Sequence, residues 1–278
     1  MWKSILIVLG IYMLNTINAQ SIDELNQYIQ SVKDSVEISF IAQDVKGEIL
    51  AAENQIKKIP SASMIKIPIL ITLFEERDKN NISFDETYKI KGEDIAGGSG
   101  ELNDDSVGKE FTIYYLANEM IRVSDNSATN ILIKKLGFEK INNSIKEKGL
   151  SATKLNRLMM DFDAVKEGRE NYTSAQDLNK LLLNIYNGNI LSQSANDTII
   201  TILKNCADKN RIARNLPPNI DVANKTGSLD YVCGDAAIIF SPKPIILSIV
   251  IENFSSEEQA EKIMGKIAGL IVKIFGGI

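Results

Sequence analysis

Apolar and polar positions follow two rhythms along this chain, and the change from one to the other separates strand-rich ends from a helical middle. Residues Ile22 to Val32 space their apolar positions at helical intervals, whereas Glu37 to Asp44 alternates with period two, as a half-buried strand does. Lys46-Gly47 is a turn signal, so Glu48 to Glu53 is expected to return as the second strand of a hairpin. Ser63 to Asp78 carries Ile65, Ile67, Ile69, Leu70, Leu73 and Phe74, enough for a largely buried helix, and its Pro68 is tolerable because it lies near the start. Helical spacing continues through Phe111 to Arg122, Ser127 to Leu136, Phe138 to Lys148 and Ser174 to Tyr186, with short loops rich in Gly, Asn, Asp and Ser between them. Towards the end, Val222 to Thr226, Ala236 to Phe240 and Ile245 to Glu252 are short strand-like runs, and Ser256 to Phe275 is an amphipathic helix.

This order predicts an α+β fold: an antiparallel sheet, flanked by helices and built from both termini, with an all-helical lobe inserted beside it. The sheet lobe is expected over residues 20–62 and 205–278, the helical lobe over 63–204, and a cleft between them. No internal repeat or low-complexity linker divides the chain further.

Composition narrows the chemistry. At 278 residues, with 44% hydrophobic and 24% charged, the chain has material for a large core. A formal net charge of −5 without a long Lys or Arg run argues against a nucleic-acid groove or a polybasic membrane patch, and leaves a small molecule or cell-surface component as partner. The chain has no histidine, which excludes Ser-His-Asp and Cys-His schemes and removes the commonest zinc ligand. Proton transfer must fall to Lys, Asp, Glu, Tyr or Ser. Lys3 followed by the apolar run Ile5 to Leu14, the polar Asn15 to Asn18 and then Ala19 reads as an export signal over residues 1–19. That run is too short to span a bilayer, which needs about 20 apolar residues. The mature chain is therefore expected to be periplasmic or secreted, without a membrane span and as a monomer. Cys206 and Cys233 then either form one bridge or stay as two buried thiols, the second being preferred.

Three short motifs carry the chemistry. Lys66 lies three positions after Ser63, which on a helix places both side chains on one face, and a buried lysine there can lose its proton and serve the hydroxyl as base. The same spelling occurs at Ser106 to Lys109 and Ser151 to Lys154, but only Ser63 heads an apolar helix, where free backbone N–H groups favour a developing oxyanion. Ser124-Asp125-Asn126 falls in the break between two helices, where the same residues would also suit an N-cap. Lys225-Thr226-Gly227, followed by Ser228, lies on a strand whose glycine lets a ligand approach the backbone. In this order the set S-x-x-K, S-D-N, K-T-G resembles the class A β-lactamases and penicillin-binding proteins. Pro60-Ser61-Ala62, Leu216-Pro217 and Gly234-Asp235 are similar to that family's runs at the matching points, so the resemblance spans nearly the whole mature chain.

The resemblance implies an acyl-transfer site with a β-lactam, or the cell-wall peptide it mimics, as substrate. Ser63 would attack the lactam carbonyl, Lys66 would take or relay its proton, and Ser124 would pass a proton to the departing nitrogen. Asn126 would hold the substrate's side-chain amide and hydrogen-bond Lys66, while Lys225 and Thr226 would bind its carboxylate. The backbone N–H groups of Ser63 and Ser228 would form the oxyanion hole, with Gly227 between K-T and Ser228, and Arg211 would stand behind that strand. No cofactor or metal enters this scheme. Three activities share the first half-reaction: β-lactam hydrolysis, D-alanyl-D-alanine carboxypeptidase or related peptidase action, and non-turnover penicillin binding.

The chain departs from the family in two places. Class A enzymes release the acyl group with a loop glutamate in an E-x-x-L-N motif. Counting from Leu155 and Arg157 puts that position on Met159, whose thioether cannot take a proton from water. Asp161, Asp163 and Glu167 are the nearby candidate bases, and Glu170 is read as a loop-closing partner for Arg157. The loop Gly97-Gly98-Ser99-Gly100-Glu101-Leu102 lacks the family's usual aromatic residue, which implies a more open entrance.

Overall fold

The computed structural model describes residues 22–278, so the leader expected over 1–19 lies outside the described residues. After the helical residues 22–32 (α1), strands β1 (Glu37–Asp44) and β2 (Ile49–Glu53) form the expected hairpin. Its turn is held by Asp44, whose carboxylate accepts from the backbone N–H groups of Lys46 and Glu48, and Gly47 supplies the left-handed residue. Two short pairs follow, β3 (Ile59–Pro60) with β6 (Tyr172–Thr173) and β4 (Thr87–Lys89) with β5 (Glu110–Thr112). The closing strands are β7 (Val222–Leu229), β8 (Val232–Ile239) and β9 (Ile245–Glu252). The main sheet runs β2-β1-β9-β8-β7, antiparallel throughout, so strands from both ends of the chain meet at β1 and β9. This is the α+β arrangement expected from the pattern.

The helices are α2 (Lys66–Asp78), α3 (Ile113–Arg122), α4 (Asn126–Leu136), α5 (Phe138–Glu147), α6 (Phe162–Lys166), α7 (Ala175–Tyr186), α8 (Gln193–Lys204) and α9 (Glu257–Phe275). Both faces of the sheet are covered, which explains why β9 reads as an unbroken apolar run rather than an alternation. Ile245, Leu247, Ile249 and Ile251 join the core under α1 and α9, whereas Ile246 and Val250 face the helical core around α2. The same parity on β8 sends Cys233 to the α9 side, while Cys206 belongs to the helical core. The thiols lie on opposite sides of the sheet, and both are free and buried. Burial pushes the Cys233 thiol up to about 12, well away from thiolate chemistry.

Several boundaries differ from the sequence pattern. β8 begins at Val232 rather than Ala236, because Gly234 and Asp235 read as turn residues but pair with Gly227 and Thr226 inside the ladder. Phe111 and Thr112 belong to β5, and Thr112 caps α3 by accepting from the Tyr115 N–H. Helix α8 carried no sequence expectation, although Ser192 caps it and Ile199, Ile202 and Leu203 form its buried stripe. Ser63 lies in a 3-10 turn, Ala62–Ile65, that feeds directly into α2.

Candidate active site

Ser63 is positioned by a crossing of that turn with strand β7. Ala62 has a positive φ of 45°, and a Cβ built at Gly227 would lie 2.9 Å from the Ser63 nitrogen and 3.0 Å from that of Met64. Only glycine permits this approach, which brings the strand's backbone beside the Ser63 N–H. Lys66, first residue of α2, is fully buried, and its ammonium reaches Ser63 Oγ at 3.0 Å, Ser124 O at 2.7 Å, Ser124 Oγ at 3.0 Å and Asn126 Oδ1 at 2.9 Å. Burial drives its proton affinity well below that of a free lysine, the charge of Lys225 adds to the effect, and Asp125 opposes it. A neutral amine in contact with a serine hydroxyl can act as its general base.

The second motif folds as two parts with different tasks. Asp125 is the N-cap of α4, accepting from Ala128 N at 2.8 Å, and its other oxygen accepts from Glu101 N at 2.7 Å and Leu102 N at 2.8 Å. It thereby staples the glycine-rich loop to the helix, and Gly100 is required because a Cβ there would overlap that carboxylate. Ser124, just outside the cap, adopts φ 58°, a left-handed conformation uncommon outside glycine that turns its hydroxyl inward. Its Oγ accepts from Lys66 Nζ at 3.0 Å and Lys225 Nζ at 3.1 Å. Asn126 donates to Gly97 O at 3.1 Å while accepting from Lys66, which fixes its amide orientation.

From the sheet side, Lys225 is fully buried and its amine is pulled below the ordinary range, chiefly by burial; Cys206 opposes this, Arg211 adds to it, and Asp235 and Asp208 oppose it. Arg211 is 4% exposed and no surface arginine: its guanidinium reaches Gly227 O at 2.8 Å, Gly234 O at 2.6 Å and Ser228 Oγ at 2.5 Å. Ser63, Ser124, Lys225, Thr226, Gly227 and Ser228 line one cleft of about 340 Å³, with Ser99 of the glycine-rich loop at its edge. A larger groove of about 520 Å³ between α2 and α5, lined by residues such as Glu75, Glu76 and Lys140, contains no comparable constellation.

The three candidate bases are not brought to this cleft. Asp161 caps α6 by accepting from Ala164 N at 3.0 Å, Asp163 is 87% exposed and paired with Lys166, and Glu167 is paired with Arg169 at the surface. None of the three lines the cleft. In this arrangement each carboxylate is engaged in a helix cap or a surface ion pair rather than beside Ser63. Arg157 and Glu170 close the loop across a buried ion pair of 2.8 Å, and Asn171 accepts from the N–H groups of Asn156 and Arg157. Met159 is buried, and its backbone exchanges two hydrogen bonds with Asn130, one turn beyond Asn126 on α4. Asn130 and the stapling role of Asp125 escaped sequence reasoning; the spacing of Asn126 and Asn130 on one helical face was the available signal.

The sequence model of the Beta-lactamase enzyme family matches residues 20–275, and the chain belongs to that family. It is 35% identical over 157 residues to Beta-lactamase ROB-1 of Haemophilus influenzae, a stretch covering 54% of this chain and 52% of that one. The chain thus spans about half the length of that curated relative. Among solved structures, the beta-lactamase of Sphaerobacter thermophilus superposes with a TM-score of 0.83 at 25% identity, covering 90% of this chain and 95% of that one. The L158E mutant of PBP-A, solved as an acyl-enzyme complex with penicillin-G, gives 0.82 at 25% identity over 90% and 94%.

Proposed function

We propose that this protein is an exported, class A-like serine hydrolase that forms an acyl-enzyme with β-lactams at Ser63. The observation that carries this reading is Lys66, fully buried and in contact with Ser63, Ser124 and Asn126 at once. In the reaction, the neutral Lys66 amine removes the Ser63 proton as Oγ adds to the lactam carbonyl, and the oxyanion is received by backbone N–H groups at Ser63 and Ser228. The C–N bond then breaks as Ser124, in contact with both lysines, delivers a proton to the nitrogen. Asn126 holds the substrate's side-chain amide, and Lys225 and Thr226 hold its carboxylate, with Arg211 supporting the strand behind them. Water completes the cycle by hydrolysing the ester. The export signal read at residues 1–19 suits this role, and among the described residues no helix is long and apolar enough to cross a membrane.

The thioether at residue 159 favours a second reading beside the first, a cell-wall peptidase that traps β-lactams as long-lived esters. Incubating the mature protein with a chromogenic cephalosporin, while following both colour and covalent mass, tests the proposal. Mass gain with catalytic colour release supports hydrolysis, mass gain with stoichiometric colour supports the peptidase, and neither signal overturns both.

A further inference from the structure

Beside Lys225 and Thr226, two further residues of the cleft, Ser228 and Arg211, are held by a carboxylate that reaches them from outside the cleft lining. Glu257, the first residue of α9, directs Oε1 to Ser228 Oγ at 2.6 Å and to Arg211 Nη2 at 2.9 Å. Donor counting shows what this does. Both protons of Arg211 Nη1 are spent on Gly227 O and Gly234 O, and those of Nη2 on Ser228 Oγ and Glu257. Ser228 accepts from Arg211 and gives its single proton to Glu257. The fifth donor, Arg211 Nε, is buried without a hydrogen-bond partner, 3.4 Å from Asp208 Oδ2, so it is the Nη donors and the Ser228 hydroxyl that have none free for an incoming anion. Of the partners of the Nη donors and the Ser228 hydroxyl, two are strand carbonyls fixed by the sheet, and Glu257 has a side chain 52% exposed that can rotate away.

We propose that Glu257 is a tethered anion that competes with the substrate's carboxylate for Ser228 and Arg211, and so sets the selectivity of the cleft between anionic and neutral substrates. The proposal rests on the acyl-transfer reading above. An acidic residue in the first turn of a helix also suits the helix dipole. That role asks only for a charge near the helix axis, whereas this side chain makes two charge-assisted hydrogen bonds outside its own helix. A substrate that bears a carboxylate has to displace Glu257 before it can use those donors, which lowers its apparent affinity by the fraction of time they are free. A substrate without the carboxylate makes no such demand. Glu257 is a positioning and selectivity residue in this scheme, remote from the bond that breaks.

The test compares a chromogenic cephalosporin with its neutral methyl ester, measuring acylation rate against concentration for the wild type, Glu257→Gln and Glu257→Ala. Both variants are expected to lower the half-saturating concentration for the carboxylate form by about tenfold, leaving the maximal acylation rate and the ester's values within about twofold. Equal changes for acid and ester, or weaker binding of the acid in the variants, would overturn the proposal and make Glu257 a prop for Arg211. Absence of covalent mass with either compound in the wild type would overturn the acyl-transfer reading, and this inference with it. Matching circular dichroism between the variants and the wild type separates either outcome from a folding defect.

Discussion

On the reading proposed above, replacing Met159 with glutamate supplies a loop carboxylate for the deacylation half of the reaction. Asn130 grips the residue 159 backbone at both its N–H (2.8 Å) and its C=O (3.1 Å), so the new side chain leaves the loop from a fixed point. The site is 8% exposed, and burial of that degree raises a carboxyl group's proton affinity towards the range useful for a general base. A base within about 3 Å of the attacking water is worth about 10²–10⁴ in rate, or about 2.7–5.4 kcal/mol of barrier. The wild type is expected to give a burst of cephalosporin cleavage equal to the enzyme concentration and then a slow phase. In Met159→Glu the slow phase should accelerate by about 10²–10⁴ and the burst should shrink, at a cost of about 1–3 kcal/mol in stability for the buried carboxyl. Stopped-flow absorbance reads both phases, and thermal unfolding reads the cost. A wild type that turns over rapidly without a burst would refute the reasoning, as would a folded Met159→Glu whose slow phase is unchanged. Loss of rapid turnover in Asp161→Asn, Asp163→Asn or Glu167→Gln would then reveal which carboxylate the loop swings inward.

Other consequences follow from specific contacts. Lys66→Ala should retain its circular dichroism and lose about 10²–10⁴ in acylation rate. Because its depressed proton affinity lets the wild-type lysine become neutral well below pH 10.5, the acylation rate should climb with pH through that range and level off; a flat profile would assign the base elsewhere. Glu76 accepts from Lys140, Asn81 and Lys79, the Lys140 hydrogen bond contributing most, and its carboxyl falls to about 2 from 4.5. A lowered carboxylate stabilises the fold above about pH 4.5, and that contribution disappears as pH falls through about 2. Glu76→Gln should therefore lower the unfolding free energy by about 1–2 kcal/mol at pH 7, allowing for its solvent-exposed lysine partners, with the difference closing in acid. Arg157→Ala leaves Glu170 as an unpaired buried charge and should cost about 3–5 kcal/mol in urea unfolding, part of which Arg157→Ala with Glu170→Ala restores. Equal losses in the single and double variants would show that the pair does not act as an ion pair.

The sheet and the main helices were legible because their apolar periods are long and regular, and because β9 is buried on both faces. Boundaries failed where a local signal was overruled by tertiary contact. Gly234 and Asp235 look like a turn, but Gly234 packs against Met64 and a buried Asp235 accepts from Asn224, which keeps both in the strand. The motif spacing led to one cleft because Ser63 and Lys66 share a helical face and the K-T-G strand carries the only residue type that can touch the Ser63 turn. Two things were beyond reach of spacing. The fate of Asp161, Asp163 and Glu167 depends on which way a loop turns, and that is set by the Arg157–Glu170 pair and Asn171. Glu257 is separated from Ser228 by 29 positions, and no local pattern announces that they meet.

The central claim is that Ser63 is the residue β-lactams acylate, and mapping the adduct tests it most directly. Protein treated with benzylpenicillin, quenched in acid and digested, should show one modified peptide whose fragments place the added mass on Ser63, and Ser63→Ala should gain no mass. An adduct that persists in Ser63→Ala, or that maps to Ser106 or Ser151, would contradict the account.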